Sequence, residues 1–320
     1  MVRLVWRTDV HMADRGPSSR VDDWTETVLD KLSQVRDIAR DVEASAILDG
    51  GDFFHIKAPG RNSHELVRRT AEHHADYPCP VYCVPGNHDC VYGDYAFLPQ
   101  QPLGVLYAAG VFKRLYDEHE AVFVKGGVKV RVVGLPYPGT RYNLERFKDL
   151  KRGDEDILVC VAHVLASLKG GSMFEGEDII RYSDLLGTAP DVYCFGHWHM
   201  DQGVEILGGK TFVNIGSLTR GSLSQDEVQR RPASAVIECT KSGVQVDVRR
   251  LKVKPAEEVF DVDARNRQVR QQVEMDAFVT KIRDGLQPKA EGGTLTEVVG
   301  AVSGVPDEVR ERALSYLERV

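Results

Sequence analysis

Short apolar runs alternate with helical patterns along the first third of the chain. "RLVW" (3–6) reads as a buried strand, and in "DDWTETVLDKLSQVRDIARDV" the apolar positions Val28, Leu32, Val35, Ala39 and Val42 recur at helical spacing. "ASAILDG" (44–50) predicts a second strand, "SHELVRRTAEHHADY" a second helix, and "CPVYCVPG" a third strand ending in a Pro-Gly turn. This βαβαβ order is the pattern of a mainly parallel sheet. From about residue 120 the texture changes. "HEAVFVKGGVKVRVVGLPY" predicts a hairpin turned at Lys-Gly-Gly-Val, and "DILVCVAH", "DVYCFGH", "KTFVNIGS" and "SAVIECTKSGVQVDVRRL" predict further strands, grouped in a second sheet rich in antiparallel pairs. Two sheets packed together with helices outside form an α/β sandwich, and its strand-end loops are where a site gathers.

After about residue 253 the strands stop. Met275, Phe278, Val279, Ile282 and Leu286 form one apolar helical stripe, "KAEGG" breaks it, and Val309, Ala313, Leu317 and Val320 form another. The expected organisation is one domain over residues 1–252, then a linker and small helical appendage over 253–320.

Composition narrows the class. The 320 residues are 42% hydrophobic and 28% charged, as in an ordinary soluble globular protein able to bury a sizeable core. No stretch approaches the roughly 18 apolar residues of a membrane span, and the apolar run in "MVRLVWRTDVH" is too short for a secretory signal, so a cytoplasmic protein is expected. Cys79, Cys83, Cys90, Cys160, Cys194 and Cys239 form no CxxC pair and read as buried free thiols. A net charge of −7 argues against coating nucleic acid by charge alone. It leaves room for an enzyme that grips a few phosphates through metal ions and a local basic rim.

The polar residues that interrupt this pattern fall at strand ends. "DGGDFFH" closes the second strand with Asp49, Asp52 and His55, which need a cation, a hydrogen-bond network or open water. Asp9 and His11 follow the first strand, Asn87 and His88 the third, His163 ends "ILVCVAH", and His197 and His199 end "VYCFGHWH". A parallel arrangement brings these groups to one edge of the sheet. A mixed nitrogen and oxygen donor set without cysteine suits manganese, iron or zinc. Seven or eight ligands are too many for one ion, so two ions about 3.5 to 4 Å apart are expected, with Asp52 as the bridging carboxylate.

In this order and spacing "DVH", "GGD", "GNHD", "AH" and "GHWH" resemble the calcineurin-like metallophosphoesterase superfamily over about residues 1 to 220. The resemblance implies a four-layer α/β/β/α sandwich of two mixed sheets. It implies Asp9, His11, Asp52 and His199 around one ion, and Asp52, Asn87, His163 and His197 around the other. The protein phosphatases of this superfamily continue their Gly-Asp with Val-Asp-Arg-Gly, whereas here the continuation is "FFHIKAPGR". That pattern is similar to the nuclease subunit of the SbcCD and Mre/Rad repair complexes, with His55 at the place of the phosphatases' second aspartate.

This branch implies a DNA exonuclease or endonuclease acting by in-line attack of a metal-activated water, without a covalent intermediate. His88 is then the general acid for the leaving oxygen, and His55 positions phosphate or His88. Manganese is the expected ion, with iron, zinc and magnesium as alternatives. Candidate phosphate grips are Arg15, Arg20, Lys57, Arg61, Arg220, Arg230 and Arg231, with Arg220, Lys57 and Arg61 as the substrate-binding set. In "NIGSLTR" a Gly-Ser turn can aim backbone N–H groups at an anion. The resemblance further implies DNA and an SbcC/Rad-type ATPase as partners, the apolar tail helices docking on the ATPase, packing on their own domain or pairing two copies. A small-molecule phosphodiesterase, acting on cyclic nucleotides or nucleotides, is the competing reading.

Overall fold

Strand β1 (Val2–Arg7) alternates its side chains between two interiors. Val2, Leu4 and Trp6 enter the layer between the sheets, while Val5 turns toward the helices. The computed structural model describes residues 1–91, 94–171, 176–263, 266–267, 270, 275, 277, 299 and 306–317. Helices α1 (Trp24–Asp41), α2 (His64–Ala75) and α3 (Pro102–Ala108) are joined in the first sheet to β2 (Ala46–Asp49), β3 (Val81–Cys83) and β4 (Phe112–Arg114). Asp23 and Ser63 start α1 and α2 by accepting from the Glu26 and Leu66 N–H groups. Val28, Leu32, Val35 and Ala39 of α1 are buried against the sheet, as their spacing predicts.

The remaining strands are β5 (Ala121–Lys125), β6 (Val128–Leu135), β7 (Ile157–His163), β8 (Ala166–Ser167), β9 (Ile180–Arg181), β10 (Val192–Gly196), β11 (Gly203–Leu207), β12 (Lys210–Asn214), β13 (Ala233–Thr240) and β14 (Gly243–Arg250). One sheet has the order β14-β13-β1-β2-β3-β4, the other β11-β12-β10-β7-β6-β5. Both are mixed, and helices flank them: α1 to α3 on the first, and on the second α4 (Glu145–Lys148) with a single turn at Tyr182–Leu185. This is the α/β sandwich expected. All six cysteines are free.

Two details of the strand reading change. The second sheet is parallel at its centre, β12, β10, β7 and β6 running together, with antiparallel pairs only at its edges β11 and β5. The reason is visible in the residues: "ILVCVAH" and "VYCFG" are buried along their whole length, the mark of strands covered on both faces. The "SAVIECTKSGVQVDVRRL" hairpin, β13 and β14, belongs instead to the first sheet, where β13 lies antiparallel to β1 with Val5 opposite Val236.

The chain divides into two compact units, Met1–Phe260 and Asp261–Val320. The first extends through Phe260 because Leu251, Val259 and Phe260 are buried and Val21 N–H donates to Val259 O. The second contains helix α5 (Asp307–Leu317). Of the expected tail stripes, Phe278, Val279, Ile282, Leu286 and Val320 lie outside the described residues. Among the described residues no helix is long and apolar enough to cross a membrane.

Arg7 and Asp49 close β1 and β2 side by side and form an ion pair of 2.7 Å with both side chains fully buried. Arg7 also donates to the Tyr77 hydroxyl at 3.1 Å, lies 3.0 Å from His74 Nε2, and stacks over Phe53. Asp49 therefore has its cation within the chain and is no metal ligand. Arg7→Met strands a buried carboxylate and is expected to cost about 3 to 5 kcal/mol in urea unfolding. Arg7→Met combined with Asp49→Leu should cost less than Arg7→Met alone; a loss below about 1 kcal/mol for the single change would contradict a paired, buried Asp49.

Candidate metal centre

The strand ends reach the site through backbone that most residues avoid. Asp9, His11, Asp52 and His197 have φ of 51°, 52°, 51° and 92°, in the left-handed region. Hydrogen bonds hold them there: Asp9 N–H donates to Gly51 O at 3.1 Å, His11 N–H to Asp52 O at 3.0 Å, and Met12 N–H to Phe53 O at 2.8 Å. His197 N–H donates to the Asp9 carboxylate at 3.1 Å. The loops after β1 and β2 are thus zipped together. Two motif glycines are required by contact alone. A Cβ on Gly86 would lie 2.1 Å from Asp52 Oδ1, and one on Gly196 2.3 Å from Thr8 Oγ1.

Three groups of donors result: Asp9, His11, Asp52 and His199; Asp52, His163 and His197; and His11, His55 and His88. In the first, His11 Nε2 and His199 Nε2 are 2.9 Å apart, and His199 Nε2 is 3.6 Å from Asp9 Oδ1. Beside the second stands Asn87, whose Oδ1 lies 3.0 Å from His163 Nε2. Asp52 turns one oxygen to each group, Oδ2 at 3.9 Å from His11 and Oδ1 at 3.5 Å from His163. His163 gives its other nitrogen, Nδ1, to Gly50 O at 2.6 Å, which directs Nε2 into the site. Convergent carboxylate and imidazole donors around a shared two-oxygen bridge fit two divalent cations.

Electrostatics in the metal-free protein follows. Burial alone would raise Asp52, but His163, His11 and His88 outweigh it and hold the carboxyl well below its usual range. Burial would lower His163, yet Asp52 and the Gly50 carbonyl overcome it and raise it to about 9. His11 goes the other way, well below its ordinary value, through burial and its neighbour His199.

His55 and His88 stack at 5.1 Å with an 18° interplanar angle. His88 Nδ1 donates to His55 O at 2.6 Å, leaving Nε2 on the side of Asp52, 4.0 Å from Oδ2, while His55 Nδ1 lies 3.2 Å from His11 Nδ1. Lys57, Arg61 and Arg15 are exposed on the loops after β2 and β1. Arg220 is not of that kind. It is 6% exposed, donates to Val228 O and Lys254 O, and lies over Phe260, so its role is to close the chain around that loop. Arg20 and Arg230 are likewise engaged, by Asp22 and by Glu227, Ser217 and Thr219. The Gly-Ser turn of "NIGSLTR" aims its N–H groups at the site loops instead of an anion: Ser217 N–H donates to His199 O and Leu218 N–H to Thr8 O.

Two carboxylates were not singled out by the strand-end reading. Asp89 accepts from the N–H groups of Gly86, Phe53 and Phe54, and burial, then Asp52, pushes it up to about 7. Its signal was the last residue of "GNHD", a motif otherwise assigned. Glu177 lies in the segment between β8 and β9 and meets His197 Nε2 at 3.0 Å; no strand end announces it.

With Nδ1 on Gly50 O and Nε2 on Asn87 Oδ1, His163 carries a proton that a cation must displace. A group raised to about 9 holds that proton below pH 9, so cation affinity is expected to fall as pH is lowered, about tenfold per unit for each proton released. Calorimetric titration of metal-free protein with Mn2+ in buffers of different ionisation enthalpy measures the release. An affinity that does not change between about pH 6 and 8 would contradict it.

The calcineurin-like phosphoesterase family matches residues 3–201. A dimetal phosphatase from Danio rerio is similar in structure, with a TM-score of 0.50 and 12% identity over 78% of this chain and 96% of that one. A purple acid phosphatase from yellow lupin has a TM-score of 0.48 and 12% identity over 78% of this chain and 51% of its own. The sulfate thiohydrolase SoxB of Thermus thermophilus has a TM-score of 0.48 and 15% identity over 82% and 59%. Among curated proteins none matches the sequence. With the family matched over more than half its length and the donors converging at the strand ends, the chain belongs to the calcineurin-like phosphoesterases.

Proposed function

We propose that this phosphoesterase hydrolyses phosphodiesters, with DNA as substrate and manganese as the working ion, as a nuclease subunit of the SbcCD kind. The observation that carries the reading is the His55–His88 pair: His55, which the resemblance sets at the place of the protein phosphatases' second aspartate, is stacked on a second imidazole whose Nε2 faces the Asp52 edge of the site. Two divalent ions, when bound by the Asp9 and His163 groups, supply Lewis acidity toward the phosphate and lower the pKa of the attacking water.

The chain's own residues do the rest. Hydrolysis adds water to phosphorus and breaks the bond to an ester oxygen, which leaves as an alkoxide unless it receives a proton. His88 donates from Nε2, its ring held by the Nδ1 bond to His55 O. His55, stacked on that ring, excludes water from one face and keeps Nε2 directed inward. Lys57 and Arg61, exposed on the same loop as His55, meet the flanking phosphates. The partner that this reading carries is an ATPase subunit or a second copy of the chain.

A specific observation supports a second reading. Arg20, Arg220 and Arg230 are engaged within the protein, and the net charge is −7, which fits a small diester better than a long polyanion.

End-labelled linear DNA, bis-p-nitrophenyl phosphate and cyclic nucleotides, each with manganese, separate the two. On DNA, His88→Ala is expected to lower the rate by about 10²- to 10⁴-fold. It should spare bis-p-nitrophenyl phosphate, whose phenolate leaves without a proton. Turnover of cyclic nucleotides with DNA left intact would sink the nuclease and select the second reading.

A further inference from the structure

Glu177 is joined to the site by a hydrogen-bond chain that none of the motifs contains. Its side chain is 11% exposed, and its Oε1 accepts from the Tyr142 hydroxyl at 2.6 Å and the Tyr137 hydroxyl at 3.1 Å. The direction of the Tyr142 bond is fixed from the far end. Leu165 N–H, just past the end of β7, donates to the Tyr142 oxygen at 3.0 Å, so the Tyr142 hydroxyl proton points to Glu177. A carboxylate held by two hydroxyl donors is an acceptor, and the His197 nitrogen 3.0 Å away, Nε2, is therefore the one that carries hydrogen toward it. The Tyr137 ring, 5.2 Å from that of His197 and 6.0 Å from that of His163, lines the same side of the site.

We propose that Glu177, oriented by Tyr137 and Tyr142, is a positioning residue for the cation at Asp52, His163 and His197: it fixes His197 in the tautomer that turns Nδ1 to the ion. The inference rests on the two-ion reading above. A carboxylate behind a ligating imidazole fixes the ring, raises its basicity, and typically changes metal affinity by about 10- to 100-fold when removed. Only one of the two cation groups contains His197, so the effect should fall on one ion.

The test is calorimetric titration of metal-free full-length protein with Mn2+, read beside manganese EPR. Wild type is expected to bind two ions and give the signal of a magnetically coupled pair. Glu177→Leu should weaken one of the two sites by about 10- to 100-fold and leave the other in place, so that at limiting manganese the signal becomes that of a single uncoupled ion. Glu177→Gln, which keeps an acceptor oxygen, should recover most of the lost affinity. Tyr142→Phe removes one of the orienting hydroxyls, carries the test if Glu177→Leu does not fold, and should weaken the same site by less. Unchanged affinities in Glu177→Leu or Tyr142→Phe would overturn the proposal while leaving two ions in place. Equal weakening of both sites would overturn it too, since that is damage to the whole centre. A wild type that binds no second ion would overturn the two-ion reading and this proposal with it, before any variant is made.

Discussion

The site depends on a backbone constraint: four side chains that must converge, Asp9, His11, Asp52 and His197, all lie at left-handed φ just beyond a strand end. For residues with a Cβ this conformation costs on the order of 1 kcal/mol each, so it persists only where neighbours over-determine it. Here they do. Parallel pairing of β1 with β2 sets Arg7 beside Asp49, and the residues after them continue the contact as a zipper from Asp9 to His55. The buried Arg7–Asp49 pair anchors the ends of both strands directly beneath the first two turns. Strain in the loops and rigidity under them are two sides of one arrangement.

That arrangement explains which residues could be read from the sequence. An apolar strand that ends in a bare carboxylate or imidazole announces itself, and the five strand-end motifs place Asp9, His11, Asp52, Asn87, His163, His197 and His199 in one region. Asp49 and Asp52 both announce themselves, and although the motif order singles out Asp52 as the bridge, nothing local says what partners Asp49. Register does: Arg7 faces Asp49 across a strand pair formed by residues 42 positions apart, a distance at which pattern carries no information. The same limit assigned the β13–β14 hairpin to the wrong sheet, since sheet membership is a property of partners. Basic residues were the least legible. Arg220 and Lys57 look alike in sequence, but one is wrapped by Val228 and Lys254 and the other is exposed.

Charge balance ties the centre together. Asp52 is buried, and in the metal-free protein its compensation comes from the raised His163 proton, with His11 and His88 nearby. His11 is itself held well below its ordinary value by burial and His199, so His163 is the first of these groups to carry the compensating charge. One proton thus stands where a divalent charge belongs. Two imidazole nitrogens, those of His11 and His199, already face each other at 2.9 Å, so at most one can carry hydrogen and the pair is short of a cation.

The rim decides what such a centre acts on. With Arg20, Arg220 and Arg230 engaged internally, the exposed candidate cations reduce to Arg15, Lys57, Arg61 and Arg231. Each phosphate neutralised by a cation releases counterions, and affinity for a polyanion grows with their number. Four exposed candidate cations on a chain of net charge −7 give a short electrostatic footprint, so on the nuclease reading the grip on DNA is local to the bond being cut. Processive hold on a long duplex then has to come from outside this domain. A nuclease so built works as a subunit, and a diesterase that needs no such hold works alone; the same few cations serve either, which is why the His55–His88 pair and not the rim carries the functional argument.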